Sequence, residues 1–448
     1  MPHVSSLRFW GKTNDRGGWH PLPYHCLDVA AVVHALLRAD HRLSALVDRL
    51  SPLPPDVTRK LLLFFAAVHD AGKFAATFQH KVPELATANG VPRGRGRDDH
   101  TWLGFRFWSD WAYEAHDVVP FDERALSALT PLAICAFAHH GEPVERVLDG
   151  TVRPAFGAGW DVAVEHVTSC AALFLDGVTL PELEQTSLAP LSWLAAGLFI
   201  VADWLGSNER WFPHAVPGPQ GPPPQGAGAD LCAWFEQACT RADSAIAECG
   251  LLPPAPLDAP AFSALFPALA AHAPHPMQQE ALRTSLGEGP QLFIIEDLTG
   301  GGKTEAALLL AARLLAAGRG GGVFVGLPTQ ATANAMYGRL AECVGRLFPD
   351  AAASLLLAHG GRALHDDFLA SITTGGHAHR RDDTDGRAVC TPWLADSRKK
   401  ALLAPCGVGT VDQALLGVLP SRHQALRLLG LARSVFIADE VHAYDEYT

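Results

Sequence analysis

The sequence predicts a two-domain protein, an all-α domain followed by an α/β domain built on a parallel sheet. Three observations carry that expectation. Helical patterns with apolar residues nearly all round run from 21 to about 209, as in 58–69 and 190–206. Pro, Gly and Ala then dominate two stretches, 213–228 and 251–276, separated by one amphipathic helix at about 230–248. From 290 onward short apolar runs alternate with helical ones, with strands at 291–295, 322–327, 354–358 and 435–438 and helices at 303–317 and 330–348. The expected division is 1–250 for the first domain, 251–275 for a linker and 276–448 for the second domain. Between 360 and 400 the chain turns polar and irregular, as in HAHRRDDTDGR, which reads as an insertion.

Bulk properties exclude several classes. A chain of 448 residues exceeds one ordinary core, and 48% apolar with 18% charged residues marks a packed protein rather than a disordered one. Residues 1–15 are polar and mixed, so no secretory leader is expected. The longest apolar run, 191–202, falls short of the roughly 18–20 residues that cross a bilayer. It reads as a buried helix, with no membrane partner and a cytoplasmic location expected. The nine cysteines form no C-x-x-C pair and read as reduced thiols. A net charge of −12 argues against coating nucleic acid by bulk electrostatics, yet leaves room for a local basic groove.

The histidines are more informative. His69-Asp70 stands at the end of an apolar helix, followed by Gly72 and Lys73. One such pair also fits a capping Asp beside a core His. The ordered set narrows the choice: His25 in HCLD, His69-Asp70, His100 in DDHTWLG, His139-His140 in AFAHHG, and Asp203 in VADWLGS. An Asp inside the most apolar helix of the chain is costly to desolvate, and a cation is the simplest compensation. Imidazoles with shared carboxylates suit manganese, iron, cobalt or nickel. Seven such side chains exceed the needs of one ion, so two divalent transition-metal ions are expected, clamping a phosphodiester with Asp70 as the bridge. Asp70 and Lys73 are catalytic candidates. Lys73 either neutralises a phosphate oxygen or is a solvated surface lysine, and Asp28 either orients a ligand from behind or bonds locally.

The stretch LFIIEDLTGGGKTEAALLLA reads strand, glycine-rich loop, helix, the context a phosphate-binding loop requires. Thr299, Gly300, Gly301 and Gly302 form the loop, Lys303 reaches the β- and γ-phosphates, and Thr304 holds magnesium, so ATP with magnesium is the expected cofactor. Asp297 stands where the full pattern has its first glycine. In SVFIADEVH, Asp439 is placed to hold the magnesium shell and Glu440, a third catalytic candidate, to polarise the attacking water.

The order of His and Asp residues resembles the HD phosphohydrolase superfamily. With HHG and DWLGSN it resembles the nuclease domain of the type I CRISPR-associated nuclease-helicases. That resemblance implies one metal on His25, His69, Asp70 and Asp203, and a second on His100, His139 and His140 with Asp70 shared. DEVH resembles the D-E-x-H box of superfamily 2 helicases, whose motor domains are RecA-like. Similarly, LPTQATANAMY and VGTVDQALL resemble the strand-contacting segments of that family, implicating Thr329, Gln330, Asn334, Thr410 and Asp412 in nucleic-acid contact. Gln278 and Gln279 in PMQQ resemble its adenine-sensing element. The resemblance spans His25 to Tyr444 and implies recruitment by the RNA-guided surveillance complex (Cascade), loading on a displaced strand, and cleavage of single-stranded DNA by the HD site.

The sequence stops shortly after DEVH, whereas a superfamily 2 motor needs a second RecA-like domain with its arginines. A fragment, or a split protein whose partner chain carries that domain, is therefore expected, with ATP bound but barely hydrolysed and no translocation by this chain alone. Two other readings stay open: an HD phosphohydrolase acting on nucleotides, and a docking fragment that binds ATP and a partner chain.

Overall fold

Three helices of the amino-terminal part, Leu22–Ala39, Pro55–Val68 and Ala189–Gly206, carry a proline in their first turn, where a missing N–H costs nothing. The computed structural model describes residues 6–114, 121–144, 151–218, 221–225, 230–298, 300–349, 352–362, 365–372 and 389–444. The chain divides into two units, 1–246 and 247–448.

In the first unit Leu22–Ala39 is the central helix, buried along nearly its whole length and packed against Pro55–Val68 and Ala189–Gly206. Gly206 permits the second contact, since a Cβ there would meet Val29 Cγ2 at 3.0 Å. The helix Glu123–Phe137 covers Ala189–Gly206 from another side. Ala189–Gly206 is the one helix among the described residues long and apolar enough to cross a membrane, and 67% of it is buried inside the protein.

The helical pattern left out an antiparallel ribbon of strands β1 (Trp10–Thr13) and β2 (Trp19–Pro21). Its backbone is clamped by Gln79, which accepts from the Trp10 N–H at 3.0 Å and donates to the Trp10 carbonyl at 3.0 Å. Farther along, Trp234 of the helix Leu231–Cys249 stacks on Tyr24 with ring centroids 3.8 Å apart and donates to Asp28 Oδ1 at 2.9 Å. His20 Nε2 meets the other oxygen of Asp28 at 2.8 Å. Asp28 is thus a local clamp that bonds His20 and Trp234.

The second unit holds a parallel sheet of four strands in the order β4-β5-β3-β6, with β3 Gly322–Leu327, β4 Leu355–Ala358, β5 Cys406–Thr410 and β6 Ser434–Ala438. Helices Lys303–Ala316 and Gln330–Leu347 stand where the sequence places them. Strand β5 escaped the sequence reading because Gly407 and Gly409 look like loop. They are needed for close approach, as a Cβ at Gly409 would lie 2.3 Å from the Ala358 carbonyl oxygen. The expected strand 291–295 is not formed. Leu292, Ile294 and Leu298 are 87%, 77% and 82% exposed, and β6 is a sheet edge among the described residues. An apolar run becomes a strand only when a neighbour satisfies its backbone, and here none does.

The stretch 251–275, expected as a linker, is bonded to the second unit. Leu257 N–H donates to the Leu347 carbonyl at 2.8 Å, Arg433 donates to the Leu251 carbonyl at 3.0 Å, and Phe262 and Leu265 are buried. The stretch HAHRRDDTDGR lies outside the described residues.

The turn carrying Asp70 touches the helix His100–Glu114 through Gly72, where a Cβ would lie 1.9 Å from the His100 carbonyl oxygen and 2.5 Å from the Gly104 nitrogen. Gly72→Ala is expected to force these backbones apart at a cost of about 1–3 kcal/mol. Thermal unfolding should show a midpoint lower by several degrees, and an unchanged midpoint would contradict this packing.

Candidate metal centre and nucleotide site

Helix ends deliver the histidines and aspartates. His25 lies in the first turns of Leu22–Ala39, His69 caps the carboxyl end of Pro55–Val68 with Asp70 next, His100 opens His100–Glu114, His139-His140 follow Glu123–Phe137, and Asp203 lies in the last turn of Ala189–Gly206. They form two groups. His25, His69, Asp70 and Asp203 each bring one potential ligand atom within 4.8 Å of the others, all four buried, and His100, His139 and His140 do the same.

Asp70 faces both groups. Its Oδ2 is 3.2 Å from His25 Nε2 and 3.4 Å from His69 Nε2, while Oδ1 is 3.5 Å from both His100 Nε2 and His139 Nε2. Asp203 Oδ1 is 3.3 Å from His25 Nε2 and 3.8 Å from His69 Nε2.

His69 Nδ1 contacts the Ala66 carbonyl at 2.7 Å and His139 Nδ1 the Ala136 carbonyl at 2.9 Å. A carbonyl only accepts, so each Nδ1 carries the proton when the ring is neutral and each Nε2 presents a bare lone pair. The Nε2 atoms of His25, His69 and His139 and Asp70 Oδ1 are buried without a hydrogen-bond partner. Leaving such atoms unsatisfied costs roughly 1–3 kcal/mol each. Four orphaned lone-pair atoms, three imidazole nitrogens and one carboxylate oxygen, are what a pair of cations would satisfy, so the residues fit the metals that the motif implies.

The electrostatics agree. Burial pushes the His25, His139 and His140 imidazoles down and takes His100 to about 3, leaving them neutral as ligands must be. For Asp70 burial favours the neutral acid, but Lys73, His69 and His25 outweigh it and hold the carboxyl well below the usual range. Asp203 behaves likewise, with Lys12 and His25 overcoming burial. His69 is the exception: burial opposes its charge, yet Asp70 and Asp203 raise it well above the ordinary value.

Two lysines reach the centre. Lys73, read from sequence as a phosphate partner or a surface residue, is buried, with Nζ 2.7 Å from Asp70 Oδ2, so the surface alternative falls. Lys12 was missed. Its Nζ donates to Asp203 Oδ1 at 3.2 Å from a short ribbon in which no periodicity marks it.

In the second unit the candidates gather along the carboxyl edge of the sheet, where parallel α/β folds bind ligands. Gly300 and Gly302 adopt left-handed backbone at φ 83° and 79°, and Gly302 caps the helix Lys303–Ala316. Lys303 Nζ donates to the carbonyls of Asp297 and Leu298 at 2.9 and 3.1 Å. Thr304 Oγ1 donates to Asp439 Oδ2 at 3.3 Å, which brings the two magnesium candidates together. Glu440 follows in left-handed backbone at φ 55°. Gln278 donates to the Gly302 carbonyl at 3.3 Å, whereas Gln279 turns away to the Pro274 carbonyl. Thr299 lies outside the described residues.

The nucleic-acid candidates follow the strand ends. Thr329 caps Gln330–Leu347, with Gln330 at its start, and Asn334 Oδ1 meets His359 Nε2 at 2.7 Å. Thr410 ends β5 and Asp412 is exposed in the short helix Val411–Leu415 that follows it. Because Leu327 pairs with Thr410, these segments are neighbours.

Comparison with known proteins bears on both units. Residues 10–212 match the family described as Cas3, HD domain. The chain is 32% identical over 462 residues to the CRISPR-associated endonuclease/helicase Cas3 of Thermus thermophilus, covering 99% of this chain and 47% of that protein. It is 32% identical over 485 residues to the Cas3 of Escherichia coli, covering 100% of this chain and 52% of that one. Among solved structures, T. fusca Cas3 with AMPPNP superposes with a TM-score of 0.80 at 29% identity, over 99% of this chain and 48% of the other. A CRISPR RNA-guided surveillance complex in a pre-nicking state contains a chain matching at TM-score 0.65 and 26% identity, over 99% of this chain and 45% of that one. The chain spans about half the length of the relatives it matches. With two groups of ligating side chains around Asp70 and a glycine loop beside Asp439, the chain is similar over its whole length to about half of the Cas3 nuclease/helicases, and residues 10–212 match the Cas3 HD domain.

Proposed function

We propose that the first unit is a metal-dependent nuclease acting on single-stranded DNA and that the second binds ATP with magnesium, the two serving CRISPR interference against foreign DNA. The observation that carries the nuclease reading is the Asp70 carboxylate, whose two oxygens face two separate groups of imidazoles. His25, His69, Asp70 and Asp203 would hold one cation, and His100, His139 and His140 the other with Asp70 shared. When bound, the cations supply phosphate neutralisation and activation of water. Chain residues do the rest. Lys73 holds Asp70 ionised, and the carbonyls of Ala66 and Ala136 keep His69 and His139 in the tautomer that presents Nε2. The second group is the more open one, since His140 is exposed, so a phosphodiester approaches from that side. A flexible single strand can bend a phosphate into such a recess, whereas a stiff duplex cannot.

The nucleotide reading rests on the left-handed glycines, Lys303, and the Thr304–Asp439 contact, with Glu440 placed to orient water and Gln278 at the loop. The chain resembling this one in a surveillance complex supports recruitment by such an RNA-guided assembly as the route to DNA.

Four outcomes follow. Asp70→Asn should bring cleavage of a labelled single strand to background and lower manganese content by atomic spectrometry, while ATP binding stays intact. Cleavage that survives would place the nuclease centre elsewhere. His140→Ala should lose one of two bound ions and retain the other, and manganese, cobalt, nickel or iron should support cleavage better than magnesium; equal activity with magnesium alone would contradict an imidazole-rich centre. Lys303→Ala should abolish ATP binding by fluorescence titration and leave single-strand cleavage unchanged, since every proposed ligand of the nuclease metals lies in the first unit.

A further inference from the structure

We propose that Lys12 binds the phosphate of the strand being cut, and that a cation held by His25, His69, Asp70 and Asp203 is what releases it for that task. The inference rests on the nuclease reading of the centre. Lys73 is unsuited to the role. Its Nζ is held between Asp70 Oδ2 at 2.7 Å and the Gly11 carbonyl at 3.1 Å, and its side chain is 6% exposed. A cation fixed on two sides and shut from solvent can position Asp70 but cannot follow a substrate.

Lys12 is different in both respects. Its side chain is 24% exposed, and Asp203 Oδ1 is the acceptor it meets, at 3.2 Å. Its strand is anchored by the pairing of β1 with β2 and by the Gln79 clamp on Trp10, so the backbone is fixed while a four-carbon stem leaves the ammonium free to move.

Asp203 Oδ1 also faces His25 Nε2 and His69 Nε2 at 3.3 and 3.8 Å, hence it is the Asp203 atom that a cation in that group would take. A divalent ion held by that group would draw off the charge that Lys12 pairs with. Its positive charge would repel the Lys12 ammonium. The nearest new anion is the incoming phosphodiester. Asp203 thereby passes Lys12 from protein to substrate only after the centre is loaded, which ties strand binding to metal occupancy.

The test uses the full chain, with Lys12→Met and Lys12→Arg beside wild type. Manganese affinity is measured by titration, and binding of a phosphorothioate oligothymidylate is followed across a salt series. Lys12→Met should bind manganese at least as tightly as wild type, because a competitor for Asp203 has gone. Its log K against log salt should be shallower by about 0.7, one phosphate contact on a single strand, with KM for cleavage raised more than kcat is lowered. Lys12→Arg should restore the slope. An unchanged slope, or manganese lost from Lys12→Met, would overturn the proposal in favour of a structural lysine. Wild type that neither holds manganese nor cuts single strands would instead overturn the nuclease reading itself.

Discussion

The fully buried carboxylate of Asp70 is the constraint around which the first unit is arranged. An ionised group in an apolar interior is tolerable only when charge and polar atoms surround it, and Lys73 and the imidazoles of His25, His69, His100 and His139 all lie within 3.5 Å of its oxygens. They come from four segments, with His69 and Lys73 in the turn that carries Asp70, so the helices must end where they do for the cluster to exist. Gly72 and Gly206 let two of those segments approach closely enough. The same demand explains Asp203 within an otherwise apolar helix: its contacts to Lys12 and His25 offset its desolvation.

The second unit follows another logic. All four strands run parallel, so loops with chemistry collect at one edge. Backbone geometry does the positioning: left-handed glycines at 300 and 302, and Glu440 turned into the same region.

Much of the centre was legible in the sequence because its residues break a pattern. A His-Asp pair at the end of an apolar helix and an Asp inside another are conspicuous against hydrophobic neighbours. The ligand groups implied by resemblance coincide with the two groups that the structure brings together. What stayed hidden had no pattern to break. Lys12 sits in a ribbon whose strands are four and three residues long, too short for alternation. Strand β5 was masked by the glycines that let it pack. The run 291–295 carried the opposite error, since its composition suits a strand but pairing depends on a neighbour.

That unpaired run has a consequence for handling the protein. Edge strand β6 and the exposed Leu292, Ile294 and Leu298 both belong to the unit that carries the glycine loop. An open sheet edge and an exposed apolar run are templates for pairing between molecules. Association through them would rest on main-chain hydrogen bonds and apolar burial, so it would grow with concentration and resist added salt. Clustering of this kind would crowd the segment leading into the glycine loop while leaving the metal centre, in the other unit, chemically intact.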